Sequence, residues 1–260
     1  MDVTDVAVQN FLKFALVLAR LTGIFAIVPV FGAAAVPRRV RALLAAALAF
    51  AVYPLVAETP VTVPAELSRI VLGLAGELCV GLVCGFVASL GFYAAQMAGE
   101  FISRQMGTSF GEIMNPLYES QTPIFGEFFF LFAIVVFVAV NGHHVLVAGI
   151  VRTFERVPLM GFHPHAGLVP LVSGLMQDMF VLMIRLAAPA FTALFLVTIV
   201  LGIIARVVPQ MNVLFVGFPL QVMLGLLVIA LALGSVAMVI DRNLGVVSRQ
   251  LDAAVRLMSP

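Results

Sequence analysis

From Leu186 to Ala205 the chain reads LAAPAFTALFLVTIVLGIIA, a run without a single charge. About 20 such residues, wound as a helix, cross the hydrocarbon core of a bilayer. The run belongs to one of six apolar stretches, at approximately 11–31, 42–57, 70–98, 128–148, 171–205 and 213–240. Hydrophobic residues fill 63% of 260 positions and charged ones 10%, with a mean hydropathy of +1.17. Soluble domains hold roughly 45–50% apolar and about 25% charged residues, so a core of this size cannot hide such a surface from water. The expected class is an all-α membrane protein, its six apolar segments forming bent helical hairpins. A net charge of +1 leaves no electrostatic footprint for nucleic acid. The start, MDVTDVAVQN, is acidic where a secretory signal is basic, so the first apolar segment is expected to be structural.

Length and helix breakers refine the segments. The stretch 42–57 is short for a crossing, whereas 171–205 is too long for one straight span and contains Asp178, Arg185 and Pro189. It reads as two pieces, of which 186–205 is membrane-grade. Pro29 and Gly32 should break the first helix, and Pro37–Arg39 should start the next with a basic rim. VVPQMN, containing Pro209, Gln210 and Asn212, is a polar turn, so 186–205 and 213–240 are expected to form a helical hairpin. Gly217 and Pro219 predict a kink or interruption in its second arm.

Charges inside apolar stretches need partners. Arg20, Glu77, Asp178 and Arg185 would each cost about 2.5–3.5 kcal/mol at a bilayer centre on insertion scales. They are expected to make helix-packing or subunit contacts, with an ion or substrate pathway as the alternative. Five glycines between Gly73 and Gly91, including Gly81 and Gly85 in G-x-x-x-G spacing, favour close helix approach. Counting Lys and Arg between six alternating spans gives five on one side and six on the other, from Arg38, Arg39, Arg41, Arg104 and Arg206 against Arg69, Arg152, Arg156, Arg242, Arg249 and Arg256. A set of plain crossings should show a cytoplasmic excess. Either the span count or the assumption of plain crossings fails.

Signs of chemistry are missing. No nucleotide loop, G-x-S-x-G elbow or H-E-x-x-H pair occurs. His143, His144, His163 and His165 lack neighbouring ligands, and Cys79 and Cys84 point about 140° apart on a helix. No catalytic residue, metal or cofactor is expected, and no enzyme.

Four strings carry a resemblance: RLTGIFAIVPVFGAAAVPRRVR from Arg20, RQMGTSFGEIMNP from Arg104, VNGHH from Val140 and ARVVPQMNVLFVGFPLQ from Ala205. In order and spacing they resemble the FliR family, flagellar members of an export-gate family shared with virulence type III secretion systems. The resemblance covers about residues 10–245. It implies a FliP-like part over 1–185 followed by a FliQ-like hairpin and tail over 186–260. It also implies assembly with FliP and FliQ into a gate of the inner membrane's flagellar basal body, with FlhB and FlhA at its entrance and unfolded flagellar subunits as cargo. Helices bent around a pore need not alternate across lipid, which accounts for the flat Arg count. A virulence-system gate subunit and a self-contained transporter or channel for a small solute remain the alternatives.

The longest polar break, Arg104 to Glu127, then acquires a candidate role. Family members have a loop at 106–122 that projects into the pore and helps close it. Gly107 and Gly111 bring backbone freedom here, and Pro116 restricts the far end. Met106, Phe110, Ile113 and Met114 supply soft apolar contacts. The residues by themselves favour a plain surface or re-entrant loop anchored on its own helices, and the resemblance reverses that preference.

Overall fold

A computed structural model of the chain describes residues 3–32, 37–57, 63–64, 66–108, 123–163, 165–208, 210 and 212–259. Every regular element among them is a helix: α1 (Val3–Ile27), α2 (Pro29–Gly32), α3 (Arg38–Ala57), α4 (Leu67–Gln105), α5 (Ile124–Ala139), α6 (Gly142–Arg156), α7 (Leu168–Val207) and α8 (Val213–Arg256). Five of these helices, α1, α3, α4, α7 and α8, are long and apolar enough to cross a membrane, or six spans exist if α5 and α6 count as one broken crossing. The protein is an all-α membrane protein of bent helical segments.

The breakers act unevenly. Pro29 ends α1 at Ile27 and Pro37 starts α3, its carbonyl accepting the Val40 and Arg41 N–H groups at 2.9 and 3.2 Å. The stretch read as 128–148 is two helices, because Asn141 turns left-handed at φ 58° between them. By contrast, the expected division of 171–205 does not occur. One helix runs from Leu168 to Val207 through Pro189, and α8 likewise runs through Pro219 without interruption as far as Arg256. Each proline removes one backbone hydrogen bond, a loss that membrane helices absorb when neighbours re-satisfy the freed group.

The chain forms two compact units. The first comprises Met1–Leu90, Asn141–Met176 and Leu244–Pro260. In it α1 packs on α3, whose buried Ala45, Ala49, Val52 and Val56 form one stripe. Both amide atoms of Gln9 pair with the Val63 backbone at 2.9 Å. On its other side α1 meets α4 almost backbone to backbone. A β-carbon on Gly81 would collide with the Arg20 carbonyl oxygen, and one on Gly85 would stand 3.0 Å from that of Ile24. This is the close approach that the glycine spacing permits.

That contact encloses the side chains of Arg20 and Glu77, both fully buried, with Arg20 Nε 2.6 Å from Glu77 Oε2. The other guanidinium nitrogens donate to the carbonyls of Thr153 and Val157 at 2.9 and 3.0 Å, and the Phe154 ring lies 4.3 Å from the guanidinium carbon. Glu77 Oε1 accepts the Met160 N–H at 2.8 Å. The end of α8 closes the unit: Leu251 lies against Gly149, and the Met258 carbonyl accepts the His163 N–H at 3.2 Å.

The second unit comprises Gly91–Val140 and Gln177–Asn243. Its part of α4 meets α5 where a β-carbon on Gly99 would strike the Phe125 carbonyl, and Phe92 packs edge-on to Phe137 at 5.1 Å. Phe101 reaches Phe191 of α7, also at 5.1 Å. α7 and α8 form a hairpin within this unit. Leu201 fills the space over Gly217, and Gln221 Nε2 donates to Thr198 Oγ1 at 3.1 Å.

Candidate functional site

The root of the long polar loop is built from the last turn of α4. Gly107 has φ 75°, a conformation open to glycine at little cost. Its N–H donates to the Arg104 carbonyl at 3.1 Å, and the Thr108 N–H donates to the Ser103 carbonyl at 3.2 Å. These paired bonds are a Schellman motif with glycine in its left-handed position, and they satisfy carbonyls that a helix end otherwise strands. Thr108 Oγ1 also donates to the Ser103 carbonyl at 2.9 Å and lies 2.7 Å from Ser103 Oγ. Gly107 therefore serves a fixed helix cap, and its backbone freedom is consumed there.

Met106 is fully buried, and its side chain rests on α8 at Gly225. The chain returns at Pro123, a buried residue whose carbonyl accepts the Gly126 and Glu127 N–H groups at 2.8 and 3.2 Å, starting α5. Because Gly99 and Phe125 touch, the end of α4 and the start of α5 are held together within one unit. Phe110, Gly111, Ile113, Met114 and Pro116 lie outside the described residues.

Next to this root stands a polar junction among apolar helices. Thr198 of α7 accepts from Gln221 of α8 and, at 3.4 Å, from Gln105 of α4, while its own hydroxyl donates to the Leu194 carbonyl at 3.0 Å. At the hairpin turn, Asn212 caps α8. Its carbonyl and its Oδ1 both accept the Phe215 N–H, at 3.0 and 3.4 Å. Gln210 is exposed, and Pro209 lies outside the described residues.

The remaining site candidates separate into two groups. Arg20, Glu77, Gly81 and Gly85 meet at the α1–α4 contact of the first unit. Asp178 and Arg185 are exposed on α7. Among the described residues no three His, Cys, Asp or Glu side chains come together as a metal site. Cys79 is exposed and Cys84 buried, both as free thiols.

A family model described as bacterial export proteins, family 1, matches residues 11–246. The chain belongs to that family. Among curated relatives of this export protein, flagellar biosynthetic protein FliR of Bacillus subtilis (strain 168) is 33% identical over 91% of each chain. FliR of Escherichia coli (strain K12) is 30% identical over 82% of this chain and 81% of its own. The Yop proteins translocation protein T of Yersinia pestis is 27% identical over 84% of this chain and 85% of its own. The export protein thus has relatives named for flagellar biosynthesis and for translocation of Yop proteins, and it is a membrane-embedded component of an export system.

Several residues of the loop root escaped the sequence reading. The helix end was legible in principle, since Arg104 followed by Gly107 is the pattern of a basic last turn and a left-handed stop. The partners Gly225, Thr198 and Phe125 carry no such mark. Each acts through what another helix places against it.

Proposed function

We propose that this export protein is a subunit of the flagellar type III protein-export gate, forming with FliP and FliQ a channel through which unfolded flagellar subunits cross the inner membrane at the basal body. FlhB and FlhA act at its entrance, and the protein catalyses no reaction. Residues 1–185 correspond to a FliP-like part and 186–260 to a FliQ-like hairpin with a tail. The loop over 106–122 plugs the pore: Met106 and Gly107 fix its root, and Phe110, Gly111, Ile113, Met114 and Pro116 form the stopper.

The observation that carries this reading is the exposure of α7 and α8. At 1.5 Å per residue these helices are about 60 and about 66 Å long, roughly twice the hydrocarbon thickness of a bilayer. Yet large apolar side chains stand exposed along them, from Val169, Phe180 and Ile184 to Phe195 and Val207, and from Phe215 to Met238. The exposed apolar run on α8, Phe215 to Met238, spans about 35 Å and suits a bilayer, but lipid alone cannot cover the roughly 57 Å from Val169 to Val207 on α7. Neighbouring protein chains can, and exposed Asp178 and Arg185 then meet polar groups of those chains. A self-contained transporter would leave exposed only the apolar length that lipid covers. Flagellar relatives span 25–33% identity and four of them reach 30% or more, whereas the Yop translocation relatives are 27% identical, which supports the flagellar system.

Two measurements test the reading. Purified in mild detergent from its native membrane, the tagged chain should bring FliP and FliQ with it; a chain that comes alone or as a homo-oligomer supports the transporter instead. Deleting 109–121 should make the assembled gate leak ions at rest. Unchanged permeability with intact assembly rejects the plug.

A further inference from the structure

Within the first unit, Arg20 and Glu77 bond to more than each other, and both reach the same short segment. Arg20 holds the Thr153 and Val157 carbonyls at 2.9 and 3.0 Å, the last-turn and C-cap carbonyls of α6. The Thr153 carbonyl already accepts the Val157 N–H at 3.0 Å and gains Arg20 as a second donor. The Val157 carbonyl is one that a helix end leaves without an intrahelical donor, and a cation there also meets the negative end of the helix dipole. The cation normally comes from the same helix; here it comes from α1, 133 residues earlier.

Glu77 acts three residues further on. Pro158 to Gly161 is a turn closed by the Gly161 N–H on the Pro158 carbonyl at 2.9 Å. Its third residue, Met160, has φ 62°. That sign belongs to a type II turn, where glycine or asparagine is the usual occupant. Types I and II differ by a flip of the central peptide, and the N–H of that peptide is the one Glu77 Oε1 accepts at 2.8 Å. The carboxylate therefore selects the flipped peptide that a methionine does not choose unaided. Met160 and Phe162 then lie over Gly73 and Gly76 of α4.

We infer that the Arg20–Glu77 pair is a backbone clamp: it caps α6 and sets the 158–161 turn, and the bond between the two side chains makes these one device. A pair present only to neutralise two membrane charges would behave differently. Replacing both members of a buried pair by apolar residues is often neutral for such a pair. A clamp is lost in that double replacement, because the Val157 carbonyl and the Met160 N–H lose their partners and the Thr153 carbonyl loses its second donor.

The test is tryptic cleavage of the Arg156–Val157 bond in the full chain in detergent, read by mass spectrometry as the fragment beginning at Val157. Arg20→Leu, Glu77→Leu and the double variant should each accelerate this cleavage by about tenfold or more, the effect of losing a charged hydrogen bond on a local opening equilibrium. Adding Met160→Gly to Glu77→Leu should recover protection, since glycine adopts positive φ without help. Parental protection in the double variant overturns the inference, as does a glycine variant with no recovery. If the double variant loses its helical circular dichroism, Arg20→Lys replaces it. Lysine keeps the charge but gathers its donors on one nitrogen, where arginine reaches Glu77 and the two carbonyls from three, so cleavage should still accelerate; protection equal to the parent overturns the clamp.

Discussion

Met106 sits on Gly225 with its Sδ, Cε and Cγ all within 2.7 Å of the point where a β-carbon would stand. The contact ties the root of the polar loop to the second arm of the α7–α8 hairpin. Any side chain at Gly225 has to displace the methionine.

Gly225→Ala is therefore expected to destabilise the purified chain by about 1–3 kcal/mol, the range for overpacking a filled site. Met106→Ala alone should also destabilise, by leaving a cavity. Combined, the two should cost clearly less than their sum, because the alanine methyl enters space the methionine has left. Unfolding in mixed detergent micelles measures all three, and strict additivity would disprove the contact.

At the neighbouring position the constraint is conformational. Gly107→Ala places a β-carbon on a residue at φ 75° and should cost about 1 kcal/mol, while Gly107→Asn should cost less because asparagine tolerates the left-handed region. The same unfolding measurement ranks them. Equal stability for alanine and glycine would show that the cap is dispensable.

How far the sequence reaches can be judged from these residues. Helical class and the hairpin were legible because apolar runs of membrane length and the VVPQMN turn are local signals. So was the close packing at Gly81 and Gly85. The persistence of α7 through Pro189 and of α8 through Pro219 was not, since breaker rules describe an isolated helix and here tertiary neighbours decide. Arg20 and Glu77 were flagged as charges needing partners. That they meet each other, and together hold a turn at Met160, depends on helices 57 and more residues apart.

The glycines divide by what surrounds them. Gly81→Ala would drive a methyl into the Arg20 carbonyl, where backbone cannot yield, and should reduce the folded chain recovered from membranes several-fold. Gly202 and Gly234 meet nothing within 4 Å. Alanine at either should leave the isolated chain as stable or stabilise it by about 0.5–1 kcal/mol through helix propensity. If these sites face sister subunits, the same two variants will lose co-purifying partners while the chain stays folded. Unimpaired recovery of Gly81→Ala would contradict the backbone contact between α1 and α4.

Thr198 joins three helices of the second unit through one hydroxyl, and its replacement isolates that role. Thr198→Val keeps the shape while removing the acceptor for Gln221 and Gln105 and the donor to the Leu194 carbonyl. Interhelical hydrogen bonds in membranes average about 0.6 kcal/mol and rarely exceed about 2 kcal/mol, so the expected loss is modest. Gln221→Leu removes the shorter of the two side-chain donors and should cost a similar amount. A cycle through both variants should show coupling of about 0.5 kcal/mol or more, because either change alone already breaks the bond. Zero coupling would mean that Gln221 finds another partner, and that the two arms of the hairpin meet without this bond.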